Sequence, residues 1–306
     1  MPFFKLSAFY FFYFASVGVY IIFLPKVLHD IGYSPNDIGI LFALAPLMRF
    51  LTPFLFLKHI KLNNHIFKWS LYLSIVSSMF FYITIDNFYL FLINNLILGI
   101  CISLVLPYIE TYAIGTLGKS RYGKSRLYGS IGFMTIALVL AKFLNNSNIA
   151  LHYYLIATIL TAFFAILIIK DENKTIQDNQ VDNKPFSIFT YWSFWLSLFL
   201  MQVSFGGFYN FFTIYETSHG ISLEMTSYLW AFGVVCEIIM LYFQAPLLKN
   251  NLITVIKISV FLTIIRWLLL FLYPNSLTIT FISQSIHALS FGLYHSAVIM
   301  YLYTLY

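Results

Sequence analysis

Ten apolar runs, each near 20 residues and parted by clusters of Gly, Pro, Asn and Lys, leave this chain few folds to adopt. A helix rises about 1.5 Å per residue, so about 20 residues cross the hydrocarbon core of a bilayer. Inside that core every backbone N–H and C=O must be satisfied within the membrane-embedded structure, which selects helices for runs of this length. The runs fall near 6–28, 36–57, 66–85, 88–114, 126–144, 150–169, 188–213, 223–247, 252–272 and 277–303. With 60% hydrophobic and only 9% charged residues, the 306-residue chain does not read as a water-soluble domain. The expected fold is an all-α polytopic membrane protein. Cys101 and Cys236 both lie inside apolar runs, so neither a disulfide framework nor a zinc site is indicated, and no metal or cofactor is expected. The first run is too long for a signal-peptide core and lacks a small-x-small cleavage site, so it reads as a retained span.

The stretch from Lys170 to Pro185 interrupts this pattern with seven charged residues and no aromatic one. It reads as a solvated linker, 170–187, between an N-terminal lobe of six spans, 1–169, and a C-terminal lobe of four, 188–306. Lys and Arg set the orientation. With the N-terminus in the cytoplasm, thirteen basic residues fall inside, among them Lys5, Lys58, Lys119, Arg121, Lys124, Arg126, Lys184 and Lys249, against Lys26 and Lys142 outside. That asymmetry accounts for the net charge of +6 without any nucleic acid. A shift of 188 positions lays Gly18 on Gly206, Gly32 on Gly220, Leu41 on Leu229, Ala43 on Ala231 and Arg49 on Glu237. An even number of spans separates the copies, so they form a parallel repeat.

Four stretches resemble the major facilitator superfamily, in its phenylpropionate-permease-like branch, which is related to the lactose and nucleoside proton symporters. They are Arg126-Leu-Tyr-Gly-Ser-Ile-Gly-Phe133, Tyr228-Leu-Trp-Ala-Phe-Gly-Val-Val-Cys-Glu237, Arg266-Trp267 and Gln284-Ser-Ile-His-Ala-Leu-Ser-Phe-Gly-Leu-Tyr-His295. The resemblance covers nearly the whole chain and implies a helical bundle of two parallel-repeat lobes. It implies twelve spans in two sets of six, where ten are read here as 6+4, so the last two spans are expected to be lacking. The family's glycine, acid and basic signature between spans two and three is replaced by Leu57-Lys-His-Ile-Lys-Leu-Asn-Asn-His65.

Ionised side chains deep in a span cost about 2.5–3.5 kcal/mol on insertion scales and are functional candidates by default. Arg49 and Glu237 lie about 20 Å below the outer ends of spans two and eight at 1.5 Å per residue. Equal depth and opposite sign suit a pair across the lobes. Glu110 ends a stripe of Asn95, Gly99, Ser103 and Leu106 on span four, which would face a cavity or else leave Glu110 solvated at the helix end. Span ten presents Gln284, His287, Phe291 and His295 on one face, able to bind substrate or pass a proton, or simply packed. Span seven presents Gln202, Gly206, Tyr209 and Thr213 with Asn210 beside them; span one presents Tyr13, Ser16 and Tyr20. By resemblance spans one, four, seven and ten line the central cavity, which makes these polar faces the binding candidates. Arg266 falls on a span that the family places at the periphery, which implies a structural or snorkelling charge. Arg121, Lys124 and Arg126 suit the inner rim or anionic lipid. Ala113-Ile-Gly-Thr-Leu-Gly-Lys-Ser120 only mimics a phosphate-binding loop, because no strand precedes it.

The expected function is a secondary transporter importing a small organic solute, an aromatic acid before a sugar or nucleoside, with Glu237, Glu110, His287 or His295 carrying the coupled proton. The expected setting is a bacterial inner membrane, with the bilayer, the solute and protons as partners and the chain acting as a monomer. The competing classes are a lipid-modifying membrane enzyme and an inactive fragment. No His-Glu-x-x-His, paired aspartates or serine elbow supports the enzyme.

Overall fold

A computed structural model describes residues 2–58, 63–144, 146–172, 189–249 and 251–305, and it is helical throughout apart from short turns. Most of the expected linker, from residue 173 to 187, lies outside the described residues, as does the middle of the Leu57–His65 turn. The chain forms two compact units, Met1–Gln177 and Asp178–Tyr306.

In the first unit α1 runs over Pro2–Asp30 and passes through a π-helical turn at Val19–Phe23. Helix α2 is Pro35–Lys58, α3 Asn64–Thr84, and α6 Ser147–Glu172. Between them the backbone is helical without a break from Phe88 to Phe143, 56 residues that would extend about 84 Å if straight. It is not straight: Arg126 Nε reaches Glu110 Oε1 at 3.4 Å across sixteen residues. The segment is therefore two antiparallel arms, α4 at Phe88–Leu117 and α5 at Arg121–Phe143. Their contacts with α1 give the directions. Tyr20 meets Asn95 while Leu6 packs with Ala113, so α4 is antiparallel to α1; Tyr10 meets Tyr122 while Gly18 meets Ile136, so α5 is parallel to it.

Lipid tails are as apolar as leucine, so helices in a bilayer are held by close packing and buried hydrogen bonds rather than by hydrophobic burial. Both devices are present. The core of the first unit gathers Leu6, Phe9 and Tyr13 of α1, Phe67 and Leu71 of α3, Ile109 of α4 and Ala165 of α6. Ser77 Oγ donates to Asn94 Oδ1 at 2.6 Å and Asn94 Nδ2 returns a bond to Ser77 O at 2.9 Å, tying α3 to α4. The outward faces carry large apolar side chains such as Ile83, Tyr89 and Phe271, suited to lipid contact.

The second unit comprises α7 at Trp192–Ser218, α8 at Leu223–Phe243 with a short turn of helix at Ala245–Leu248, α9 at Leu252–Leu272, and α10. Helix α10 begins as Leu277–His287, continues as a π-helical Ala288–Leu293 and ends as Tyr294–Leu305. Seven of these ten helices have a window apolar enough to cross a membrane; α2, α7 and α10 are not among them. On α7 the reason is the Ser, Gln, Asn and Tyr content of its polar face.

The offset of 188 recurs in the helix ends themselves. Asp30 and Ser218 end α1 and α7, Pro35 and Leu223 begin α2 and α8, and Asn64–Thr84 maps onto Leu252–Leu272 end to end. The caps match as well. Ser34 and Ser222 cap the second helix of each copy through Asp37 N and Met225 N, and Asn63 and Asn251 each accept two backbone N–H bonds ahead of the third. Gly32 and Gly220 stand at φ +106° and +86°, where an L side chain is strained, and nothing lies within 4 Å of a Cβ built on either. Gly220→Ala is therefore expected to lower stability by about 1–2 kcal/mol through the backbone alone, read as thermal unfolding in detergent.

Candidate functional site

Helix α9 follows the lipid-facing pattern of a span, yet it turns Arg266 inward, where it is the largest fully buried side chain of the described residues. Fully enclosed, it does not snorkel to an interface. Its Nη1 lies 2.9 Å from His287 Nδ1 and its Nη2 donates to Gln284 Oε1 at 3.3 Å, both on α10. A guanidinium can only donate, so His287 Nδ1 is the acceptor, its proton sits on Nε2, and the ring is neutral. Aromatic faces complete the surroundings. The guanidinium carbon is 4.2 Å from the Phe208 ring centroid, 4.4 Å from Trp267 and 5.5 Å from Phe205, and His287 stacks on Phe291 at 5.2 Å. Among the described residues no carboxylate pairs with Arg266 within 4.0 Å. Its Nε and Gln284 Nε2 are buried without a hydrogen-bond partner there.

Cation–π attraction offsets only part of the cost of burying a charge. The arrangement is thus a desolvated cation in an aromatic wall, with unpartnered donors on Arg266 Nε and Gln284 Nε2. Tyr209 joins this wall, packing on Phe205, Phe208, Trp230 and Phe291 and acting electrostatically on Arg266. Trp230 Nε1 donates to Thr213 Oγ1 at 3.1 Å, fixing α8 to α7. Glu237 is half-buried and packs at the π-helical part of α10: a Cβ on Gly292 would lie 3.0 Å from its Cγ. π-helical turns inside α-helices concentrate at functional sites, and this one follows directly after His287. Gln202 and His295 are exposed and Asn210 is half-buried.

The first unit brings a second set of the expected residues together. Tyr20, on the π-helical turn of α1, donates to Asn95 Oδ1 on α4 at 3.0 Å, and Asn95 Nδ2 bonds Phe91 O. Arg49, exposed on α2, acts electrostatically on the hydroxyls of Tyr13, Tyr20 and Tyr154. Gly99 of the α4 stripe packs against Ala45 and Met48 of α2, so that part of the stripe is helix packing. At the far end Glu110 pairs with Arg126, whose guanidinium lies 3.9 Å from the Phe14 ring and 5.6 Å from Tyr10. Arg126 is therefore a clasp among α1, α4 and α5 more than a lipid anchor. Residues 113–120, the look-alike of a phosphate loop, are helical.

Sequence reasoning missed the rings of Phe205, Phe208 and Trp230 as parts of one site, because their abundance in the chain hides them. It also missed Glu216, which is fully buried on α7 although it falls three residues beyond the expected end of its span.

The described residues form two helical units whose helix ends repeat at an offset of 188, the parallel-repeat plan expected of a major facilitator transporter. The MFS_1 like family model matches residues 3–305, and the chain belongs to that family. Among curated proteins it is 26% identical over 311 residues to the probable 3-phenylpropionic acid transporter of Escherichia coli (strain K12), covering 96% of this chain and 80% of that one. It is 25% identical over 318 residues to the uncharacterized transporter YwbF of Bacillus subtilis (strain 168), covering 97% and 76%. Among solved structures it is similar to the nucleoside transporter NupG, with a TM-score of 0.72 at 15% identity over 99% of this chain and 82% of that one. The Escherichia coli fucose:proton symporter FucP gives 0.56 at 14% identity over 96% and 83%. These likenesses fix the fold, and the family makes the chain a membrane transporter and not an enzyme.

Proposed function

We propose that the chain is a secondary active transporter that imports a small aromatic carboxylic acid together with protons, by alternating access of two helical lobes. The observation that carries this reading is the buried Arg266: a cation without a carboxylate partner among the described residues, ringed by Phe205, Phe208 and Trp267. A carboxylate guest supplies the missing charge and its ring extends the aromatic wall. The name of the Escherichia coli relative points the same way. In this reading Gln284 and Tyr209 contribute neutral hydrogen-bonding groups beside Arg266 in the second unit. Those same groups would suit a sugar or nucleoside, the second reading, whose solved relatives share the fold.

The geometry also supports a coupling rule. His287 cannot become an imidazolium while Nδ1 accepts from Arg266, since two cations would then face each other at 2.9 Å. Protonation of His287 requires Arg266 to turn away, and a bound carboxylate rewards that turn. The plasma membrane of a bacterium, with the N-terminus inside, is the setting that the basic-residue asymmetry supports.

The test is uptake into proteoliposomes under an imposed pH gradient, with labelled 3-phenylpropionate and a labelled nucleoside run side by side. Accumulation of the acid, blocked by other aryl acids and not by nucleosides, is expected; nucleoside accumulation alone would favour the second reading, and accumulation of neither would sink the transporter proposal for these solutes. Glu237→Gln keeps the shape that packs against Gly292 and removes the charge. It is expected to abolish gradient-driven accumulation while leaving substrate exchange within about threefold of wild type. Joint loss of both would assign Glu237 to binding or structure instead.

A further inference from the structure

The internal repeat exposes a carboxyl where packing alone asks for leucine. Residue 216 less the repeat offset is residue 28, and both positions lie two residues before the end of the first helix of their copy. Leu28 and Glu216 are each 0% exposed. Leucine fills that place in the first unit with no polar consequence. In the second unit both Oε1 and Oε2 of Glu216 are enclosed without a hydrogen-bond partner among the described residues.

The surrounding titratable groups are otherwise engaged. On its own helix end Tyr215 donates to Leu270 O of α9 at 3.0 Å, and His219 Nδ1 lies 2.8 Å from Tyr215 O. At the start of α8, Tyr228 donates to Glu224 Oε1 at 2.8 Å. Tyr273, at the end of α9, is exposed, and Arg266, one turn below Leu270, is committed to His287 and Gln284 on α10. Tyr215 is the neighbour on which the Glu216 carboxyl acts. An ionised carboxylate enclosed without donor or cation costs several kcal/mol, whereas the protonated acid costs far less.

We propose that Glu216 is a proton-binding site separate from the Arg266–His287–Gln284 cluster: it holds a proton while the end of α7 is packed on α8 and α9, and releases it when that end opens to water. On the charge-based orientation this end faces outside, so the site reads external pH. Its role in transport rests on the proton coupling proposed above, whereas its titration does not.

Two measurements separate the two. The protonated-carboxyl C=O band in pH-difference infrared spectra of the purified protein in nanodiscs is expected to persist at about pH 6, where exposed carboxylates are ionised, to fade as pH rises, and to be missing in Glu216→Gln. Absence of that band in wild type, or its survival in Glu216→Gln, would overturn the site whatever the transport result. In proteoliposomes Glu216→Gln, a mimic of the protonated form, is expected to keep counterflow and lose the dependence of uptake on external pH, which for one proton site is at most about tenfold per pH unit. An unchanged dependence would overturn the coupling role while leaving the infrared assignment standing. Glu216→Leu, copying position 28, is the folding control and is expected to unfold at a higher temperature than wild type.

Discussion

Arg266→Gln is expected to cut gradient-driven uptake by about 100-fold or more, close to 2.7 kcal/mol of lost stabilisation, without lowering the thermal stability of the protein. The two halves of this result follow from different terms. In the proposed site, guest binding loses the buried cation, and a carboxylate then enters aromatic surroundings at full desolvation cost. Folding, by contrast, loses a charge that has no carboxylate partner among the described residues and whose Nε is unbonded. Exchanging an uncompensated buried ion for a neutral side chain removes its desolvation cost, which offsets the packing lost to the shorter glutamine. A purely structural Arg266 would give the opposite pattern, a lower unfolding temperature with uptake falling only as folded protein falls. Arg266→Lys sharpens the comparison. It retains the charge but cannot donate to His287 and Gln284 at once or stack a planar face on Phe208 and Trp267, so it is expected to restore little uptake.

The sequence made some of this legible and hid the rest for physical reasons. Span length and charge asymmetry are properties of composition, so the helices came out near their observed ends, and the repeat offset of 188 reappears in Gly32 and Gly220 at positive φ. The continuous Phe88–Phe143 backbone still resolved into two spans, because Lys119, Arg121, Lys124 and Arg126 are costly in lipid. Side-chain direction was a different matter. Arg266 was read as a structural or snorkelling charge on a peripheral span, because helix position in a bundle does not say which way one residue in 3.6 points. Gln284 and His287 were found by their spacing on one face, since a polar stripe in an apolar helix has a single sensible direction. Glu216 escaped notice because it lies beyond the expected end of its span, where a carboxylate looks solvated, although the structure encloses it fully.

Gly132→Ala is expected to remove most of the folded protein. A Cβ at this position would sit 2.0 Å from Phe11 O and 2.7 Å from Phe11 C, which are backbone atoms of α1. No rotamer change relieves that contact, so α1 and α5 must part by more than an ångström along their whole interface. Parting them also draws Arg126 off Phe14 and strains its bond to Glu110, loosening α4 as well. Overpacking a tight core costs about 1–3 kcal/mol, and backbone-to-backbone clashes lie at or above the top of that range. The neighbouring glycines grade the effect. Gly18 and Gly129 would meet Ile136 Cγ2 at 2.4 Å and Phe14 Cδ2 at 2.6 Å, side-chain rather than backbone atoms and less deeply overlapped, so their alanine variants are expected to be weaker versions of the same defect. Gly207, with nothing within 4 Å, is expected to gain about 0.5–1 kcal/mol as alanine through helix propensity. The measurement is the monodisperse fraction after detergent extraction, followed by thermal unfolding. The order Gly207→Ala, Gly18→Ala, Gly132→Ala in falling stability is the expected result. A Gly132→Ala protein as stable as wild type would mean that α5 does not pack on α1 through this glycine, and with it the clasp that Arg126 forms would lose its structural basis.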